Sequence, residues 1–475
     1  MSFNRRAVLL CLSALAGCSL APAYKTPVID EPAAYKGSAV NWQPAQPADN
    51  KPRGDWWKSY QDATLDGLIV KLDAANADLA IAVANFDRAT AYAAQARADY
   101  FPTITGGAFS TRNRQSDNRA LRNRSQPSVY GDNAVGLMAN YEVDLWGRVR
   151  NYVKAGEAGA QAAAADLESV HLSLRAELAN DYLELRTLDA QAKLLALEIG
   201  DYQKALKLTE DRFKGGIDSD LDVSRARVQL ETAQAKVSEL AASRAEYEHA
   251  IATLVGESAS GFSIAPEVVD IQLPVIPLGV PADLLQRRPD ISAAERRLAA
   301  ANARIGVAKA AFFPTVDLSA AAGYESTYQA AWLTAPNLFW MIGPNALMTI
   351  FDAGRRQAVV DQAEATFRVN GAQYRSTVLH AFQEVEDNLS LLNDLTEESV
   401  SLKEAVKDTN RALDIAMTRY KEGVANYLDV VVAEAAAQQV QLDELNLRGR
   451  RLQASVNLIR ALGGGWNAEQ ATASK

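Results

Sequence analysis

Residues that usually carry chemistry are sparse in this chain, and where they recur they do so at a fixed spacing. Three histidines, His171, His249 and His380, are scattered through stretches with helical patterning. There is no HExxH, no CxxC pair and no Gly-rich phosphate loop, and Gly463-Gly464-Gly465 lies at the chain end without opening a helix. No catalytic residue, cofactor or metal is therefore expected. What does recur is a charged and aromatic cluster around glycine. Arg212-Phe213-Lys214-Gly215-Gly216 matches Arg419-Tyr420-Lys421-Glu422-Gly423 at an offset of 207. Leu221-Asp222-Val223 matches Leu428-Asp429-Val430 at the same offset. Each aspartate follows a glycine turn at the start of a predicted helix, where a carboxylate complements the helix dipole.

The elements that must position these residues repeat as well. Gly147-Arg148 and Gly354-Arg355, and Gly256 and Gly463, are also 207 apart, and Phe101-Pro102 precedes Phe313-Pro314 by 212. The chain thus reads as two copies of a unit of roughly 200 residues, far longer than a solenoid period. In each copy a helix runs into a strand at the proline, Pro102 or Pro314, because proline cannot continue a helix interior. The period then drops from 3.6 to 2. Val316, Leu318, Ala320, Ala322 and Tyr324 alternate with Asp317, Ser319, Ala321, Gly323 and Glu325. Val135, Leu137, Ala139, Tyr141 and Val143 alternate in the same way with Gly136, Met138, Asn140, Glu142 and Asp144. A lipid-facing row against a water-facing row is what a barrel strand shows, although a half-buried strand in a soluble sheet shows it too. The other expected strands run from Thr103 to Thr111 and from about Trp340 to Phe351, the last weakened by Gly343-Pro344. Helices are expected from about Leu65 to Tyr100 and from Arg148 to about Phe213, the latter ~100 Å long at ~1.5 Å per residue. Two heptad-like seams, one through Leu178 and Leu185 and one through Leu183 and Leu197, mean a helix packed on both sides. Gly216 and Gly423 end the long helices, and return helices run to about Val255 and Leu462.

Acidic balance excludes one class of partner. With a net charge of −9 and 23% charged residues, the chain lacks the basic face that nucleic acid requires. The loop from Asn113 to Asp132 is flanked and filled by Arg112, Arg114, Arg119, Arg122 and Arg124. It is either a solvated loop or a site for anionic lipid headgroups. Trp56-Trp57 either pack or line a ligand site, and Trp332, Phe339 and Trp340 fit an aromatic girdle. At the start, Arg5-Arg6 and the apolar run Ala7 to Ala16 form a signal peptide, too short to span a bilayer. It ends in Leu15-Ala16-Gly17-Cys18, which resembles a lipobox with Cys18 as the acylated residue; Ser19 after it favours the outer membrane.

The expected organisation is therefore signal peptide 1–17, a lipid-anchored extended segment 18–64, a first repeat 65–256, a Pro-rich linker 257–282, a second repeat 283–463 and a tail 464–475. Each chain supplies four candidate membrane strands. Four leave two unpaired edges, which hydrocarbon does not tolerate, so the barrel must close by oligomerisation.

Over nearly the whole mature chain the sequence resembles the TolC-type outer-membrane factor family, in particular its lipoprotein branch serving RND multidrug efflux systems. The resemblance rests on Cys18, Trp56-Trp57, Asn76-Ala77-Asp78-Leu79, Arg288-Pro289-Asp290, Ala294-Glu295-Arg296, Ile305-Gly306-Val307-Ala308, the paired Gly-Arg sites, and Arg419-Tyr420 through Gly423 to Leu428-Asp429-Val430. It implies an α+β membrane protein: a homotrimeric 12-stranded β-barrel with four strands per chain, continuing into a long α-helical coiled-coil barrel. It implies a passive exit duct in the outer membrane of a Gram-negative bacterium, its tunnel in the periplasm, with a periplasmic adaptor (membrane fusion) protein and an inner-membrane RND transporter as partners. It also implies a ring of carboxylates at the second hairpin tip, which places Asp429 at a gate, with Asp222 as its first-repeat counterpart. Val432 stands where the family often has a second Asp, and Leu428 then forms an apolar constriction. Arg419 and Tyr420 are implied tip-locking contacts, and Gly216 and Gly423 serve the turn and the adaptor. An exit duct for type I protein secretion or metal efflux, and a pore-less periplasmic coiled-coil scaffold, remain alternatives.

Overall fold

A computed structural model describes residues 19–29, 36, 54–120, 123, 125–274, 276, 287–328 and 332–464. The signal peptide, Cys18, Arg122, Arg124, the linker residues Pro277 and Pro281, and the tail beyond residue 464 lie outside the described residues. The chain divides into two compact units. The described parts of the first fall within Met1–Val28, Phe86–Ala163 and Ala294–Tyr374, and those of the second within Ile29–Asn85, Ala164–Ala293 and Arg375–Lys475.

The first unit holds the sheet. Strands β1 (Thr103–Arg114), β2 (Val129–Glu142), β3 (Thr315–Ser326) and β4 (Leu338–Leu347) are antiparallel neighbours in the order β1-β2-β3-β4. The register sorts the side chains, because directly opposed residues share a face. Ile104, Ala139, Ala320 and Ile342 form one row, and Ala108, Val135, Tyr324 and Leu338 another on the same face. The opposite face carries Thr105 with Met138 and Ala321, and Asn140 with Thr103 and Ser319. One face is apolar and the other mixed to polar, the two-sided pattern of a membrane barrel wall.

Four strand ends differ from expectation. β1 continues to Arg114 and β2 begins at Val129, so the loop is shorter and Arg112 and Arg114 belong to the strand. β4 starts at Leu338 and stops before Phe351. Gly343-Pro344 does not interrupt it: Pro344 keeps the register, opposite Leu318.

The second unit is helical. The helix expected from Leu65 to Tyr100 is two, α1 (Ala63–Ala75) and α2 (Ala77–Ala98). They part at Asn76, whose backbone is extended (φ −67°, ψ 129°). Its Oδ1 accepts from Leu79 N at 2.8 Å and its Nδ2 donates to Leu254 O at 2.8 Å, so one side chain caps one helix and ties down the end of another. Asp62 caps α1 and also accepts from the buried Tyr182 hydroxyl at 2.8 Å. Trp56 and Trp57 are 8% and 5% exposed, edge to face at 5.9 Å, with the Arg175 guanidinium 4.9 Å from the Trp57 ring. They pack into the core with Leu65, Ile69, Leu178 and Ile251.

The long elements recur 207 residues apart. α3 (Arg148–Lys214) and α6 (Arg355–Lys421) have 67 residues each, and α4 (Asp220–Leu254) and α7 (Tyr427–Ala461) have 35 each. On α3 the first seam buries Leu178, Leu185 and Leu195 completely. The second buries Ala179 and Leu183 but has opened at Leu197, which is 59% exposed. α5 (Pro289–Ala310) starts on proline, whose missing amide costs nothing at a first helical position. Before it, the buried Arg288 forks onto Asp290 at 3.1 and 2.7 Å and reaches Glu384 at 2.6 Å.

Candidate functional site: the hairpin tips

The ends of α3 and α6 are built alike. Gly216 and Gly423 take φ of +74° and +78°, a left-handed conformation that glycine enters without the Cβ penalty. Beyond them Ile217 N donates to Arg212 O at 2.9 Å and Val424 N to Arg419 O at 3.0 Å, closing the six-residue turn that ends many helices. Both sequence-expected turn glycines are therefore at the turn.

The two return helices then diverge. Ser219 caps α4 with a reciprocal box: Asp222 N donates to Ser219 Oγ at 3.3 Å, and Ser219 N donates back to Asp222 Oδ2 at 3.2 Å. Ser219 Oγ adds a 2.6 Å bond to the same carboxylate, and Arg225 Nη1 another at 3.3 Å. The Ser219 hydroxyl, joined by its amide and by Arg225, holds the Asp222 carboxyl below the usual range. On α7 the cap is Asn426, whose Oδ1 accepts from Asp429 N at 3.2 Å. An asparagine has no hydroxyl to donate, and the exposed Asp429 carboxylate has no partner among the described residues. Leu428 (40% exposed) and Val432 (61%) are exposed beside it on α7.

Tyr420 is the opposite case. It is 1% exposed, and its hydroxyl donates to Asp218 Oδ2 at 2.6 Å. Arg212 Nε donates to the same oxygen at 2.9 Å while its guanidinium lies 4.6 Å from the Tyr420 ring. Thr209 Oγ1 lies 3.1 Å from the hydroxyl, and Tyr427 leans on the ring at 5.3 Å. Burial, with the Asp218 hydrogen bond adding to it, pushes the Tyr420 phenol up to about 12, so it stays a donor. The cluster ties the end of α6 to the turn between α3 and α4. Hydrogen bonds to a charged group contribute ~1.5–3 kcal/mol each. Arg419, by contrast, is exposed. The cation beside Tyr420 is Arg212, and the carboxylate is Asp218. Sequence reading names neither as a contact, although the Arg212/Arg419 repeat match marks the place.

At the sheet end the prolines sit at the helix–strand joins. α2 unwinds through Tyr100 and Phe101 before Pro102, and β1 starts at Thr103. At Pro314 the carbonyl accepts from Trp146 Nε1 at 2.8 Å, and the Trp146 ring stacks on Phe313 at 4.7 Å. The residues after Cys18 are strapped nearby. Ser19 Oγ donates to Asn151 Oδ1 at 3.1 Å, Asn302 Nδ2 donates to Pro22 O at 2.9 Å, and the Tyr24 hydroxyl bonds the Glu295 carboxylate. A Cβ on Gly306 would stand 2.7 Å from the Cβ of Ala21, so glycine there lets the strap pass. Among the described residues no group of acids, histidines or cysteines forms a metal cluster.

Comparison with known proteins agrees with this geometry. The family described as Outer membrane efflux protein matches residues 68–257 and 280–464. The toluene efflux pump outer membrane protein TtgC of Pseudomonas putida is 32% identical over 463 residues, covering 97% of this chain and 95% of its own. The pyoverdine export outer membrane protein OpmQ of Pseudomonas aeruginosa is 31% identical over 419 residues, covering 87% and 88%. The solved outer-membrane channel OprN superimposes with a TM-score of 0.87 at 30% identity, over 94% of this chain and 100% of that one. The fold is thus that of the trimeric outer-membrane efflux channels, an α+β architecture of four strands and long helices per chain in two internal repeats. A pore-less scaffold is excluded with it. The chain belongs to the outer membrane efflux protein family and is the outer-membrane exit duct of an efflux system.

Proposed function

We propose that three copies of this chain close a 12-stranded barrel, and that the duct receives cargo from an inner-membrane RND transporter through a periplasmic adaptor. It passes drugs or other small molecules outward without catalysis, energy being supplied by the pump. Two open strand edges per chain, on β1 and β4, support the closure. The small-molecule cargo rests on relatives named for toluene and pyoverdine. In this reading the organisation is signal peptide 1–17, lipid-anchored segment 18–64, repeats 65–256 and 283–463 joined by a linker 257–282, and a tail from 464. Acylated Cys18 anchors a chain start that Ser19, Pro22 and Tyr24 strap down. Pro102 and Pro314 are the hinges between sheet and helices, and the Gly216 and Gly423 turns meet the adaptor.

The gate is at the second hairpin. Asp429 forms a ring of three carboxylates that attracts cations, with Leu428 as the apolar constriction beside it. Asp222 acts as a helix cap that stiffens the first hairpin. Tyr420, through Asp218 and Arg212, holds the two tips together in the resting state, and Arg419 reaches outward toward a neighbouring hairpin. One observation carries the gate: the Asp429 carboxylate is exposed and unpartnered among the described residues, whereas its counterpart Asp222 is consumed by a capping box. Single-channel conductance in planar bilayers tests it. Wild type should give a small, cation-selective conductance, and Asp429→Ala should enlarge it or lose the selectivity. Unchanged conductance and selectivity would reduce Asp429 to a helix-end charge.

A further inference from the structure

The outward rows of the sheet end in guanidinium groups. Reading up the apolar face by register, Ile104, Ala139, Ala320 and Ile342 are followed by Gly106, Leu137, Ala322 and Trp340, then by Ala108, Val135, Tyr324 and Leu338. Above them Ser110, Asn133 and Ser326 form a polar row. The next two positions of β1 on that face are Arg112, opposite Gly131, and Arg114, opposite Val129. Apolar rows, the upper two carrying Trp340 and Tyr324, then a polar row and the two arginines are thus stacked in the order in which a membrane wall meets hydrocarbon, interface and headgroups. From Ile104 to Arg112 the strand runs ~27 Å at ~3.4 Å per residue, which a tilt of ~40° reduces to a height of ~21 Å, most of the ~25 Å apolar band.

Both arginines are exposed, and neither has a hydrogen bond or ion pair among the described residues. The near acid on β2, Asp132, is opposite Thr111 and so on the other face. Arg119, in the loop, donates to Gln115 and adds a third positive charge. Two guanidinium groups on the face read as lipid-facing meet no neutralising partner among the described residues. Arginine binds phosphate through a planar fork, which adds geometry to charge. The loops join the strands at the end away from the helices, which is the external end for a duct whose tunnel is periplasmic. The lipid there is that of the outer leaflet. We infer that Arg112 and Arg114 bind the phosphate groups of outer-leaflet lipopolysaccharide. The site rests on the apolar face of the sheet meeting lipid, as the barrel reading requires.

Native mass spectrometry of the full chain in detergent tests this, with bis-phosphorylated lipid A and its dephosphorylated form as probes. Wild type should bind the phosphorylated form in a saturable, salt-sensitive manner. Arg112→Ala with Arg114→Ala should weaken that binding roughly ten- to thirtyfold, given the attraction one cationic side chain has for an anionic lipid surface. Arg112→Lys with Arg114→Lys, which keeps the charge and loses the fork, should fall between them. The dephosphorylated form should bind wild type and the alanine variant equally weakly. If the alanine variant binds phosphorylated lipid A as tightly as wild type, or wild type binds both forms alike, the proposal is overturned. A wild-type protein that stays in solution without detergent would overturn the barrel reading as well, which separates the two failures.

Discussion

Glu434 on α7 is a carboxyl group almost without water. It is 6% exposed, and its Oε2 is buried with no hydrogen-bond partner among the described residues. Burial, with Asp201 and Glu198 of α3 adding to it, raises its pKa from 4.5 to about 7. Tyr202 of α3 and Tyr427 of its own helix also lie in its field, and both phenols are pushed up and remain neutral. The folded tip therefore holds the Glu434 proton more tightly than an open chain does. Stability from this group is fully present below about pH 4.5 and is lost as pH rises through about 7. The loss is on the order of 1–3 kcal/mol. Hydrogen exchange of the first turns of α7 should accelerate between pH 5.5 and 8 beyond the intrinsic base-catalysed rise. Glu434→Gln, neutral at both values, should remove most of the excess, and an unchanged slope would mean a hydrated, ionised carboxylate. Sequence reading locates Asp429 and Tyr420 because the turn glycines index them, but it cannot find Glu434, since burial depends on which face of α7 meets α3. Nor does it find Asp218: its counterpart 207 residues on is Ala425, so repeat symmetry hides a contact made by one copy alone.

At the scale of elements, glycine turns and period changes were the legible features, and strand ends and capped helix breaks were not. The 3.6-residue pattern continues across Asn76, so the break shows only in its local chemistry: an asparagine followed by an acid in the first turn, the mark of a helix start. Arg112 and Arg114 look like loop residues because the alternation of apolar and polar residues ends before them, while strand pairing continues to Arg114. Gly423 illustrates the opposite situation, a position fixed by backbone alone. A Cβ built there meets nothing within 4 Å, yet φ is +78°. Gly423→Ala should therefore weaken the second tip by about 1 kcal/mol, the strain of a left-handed alanine. Gly423→Asn should cost less, because asparagine enters that region more readily. Protection of the amides around Val424 against exchange would measure both, and equal protection in the alanine variant would show that the turn relaxes without strain.

For the whole molecule the deciding quantity is the pair of strand edges. β1, 12 residues long, and β4, 10 residues long, each turn the backbone groups of alternate residues outward with no strand partner among the described residues. In hydrocarbon each unmet amide or carbonyl costs several kcal/mol, so closure between chains outweighs any other single term in assembly. Period-2 patterning makes this legible: counting four strands per chain already requires more than one chain. The number three does not follow from the count, because eight strands also close, and it comes from likeness to known ducts. Acylation is a separate matter. The lipid proposed on Cys18 would add membrane affinity through its chains but would supply no strand partner. The straps from Ser19, Pro22 and Tyr24 hold the chain start by contacts that need no lipid. A Cys18→Ser variant exported by a cleavable signal peptide should thus still require detergent and still assemble with the mass of three chains, as sedimentation or light scattering would report. Monomers from that variant would show instead that the anchor, by concentrating chains at the membrane, is what brings the β1 and β4 edges together.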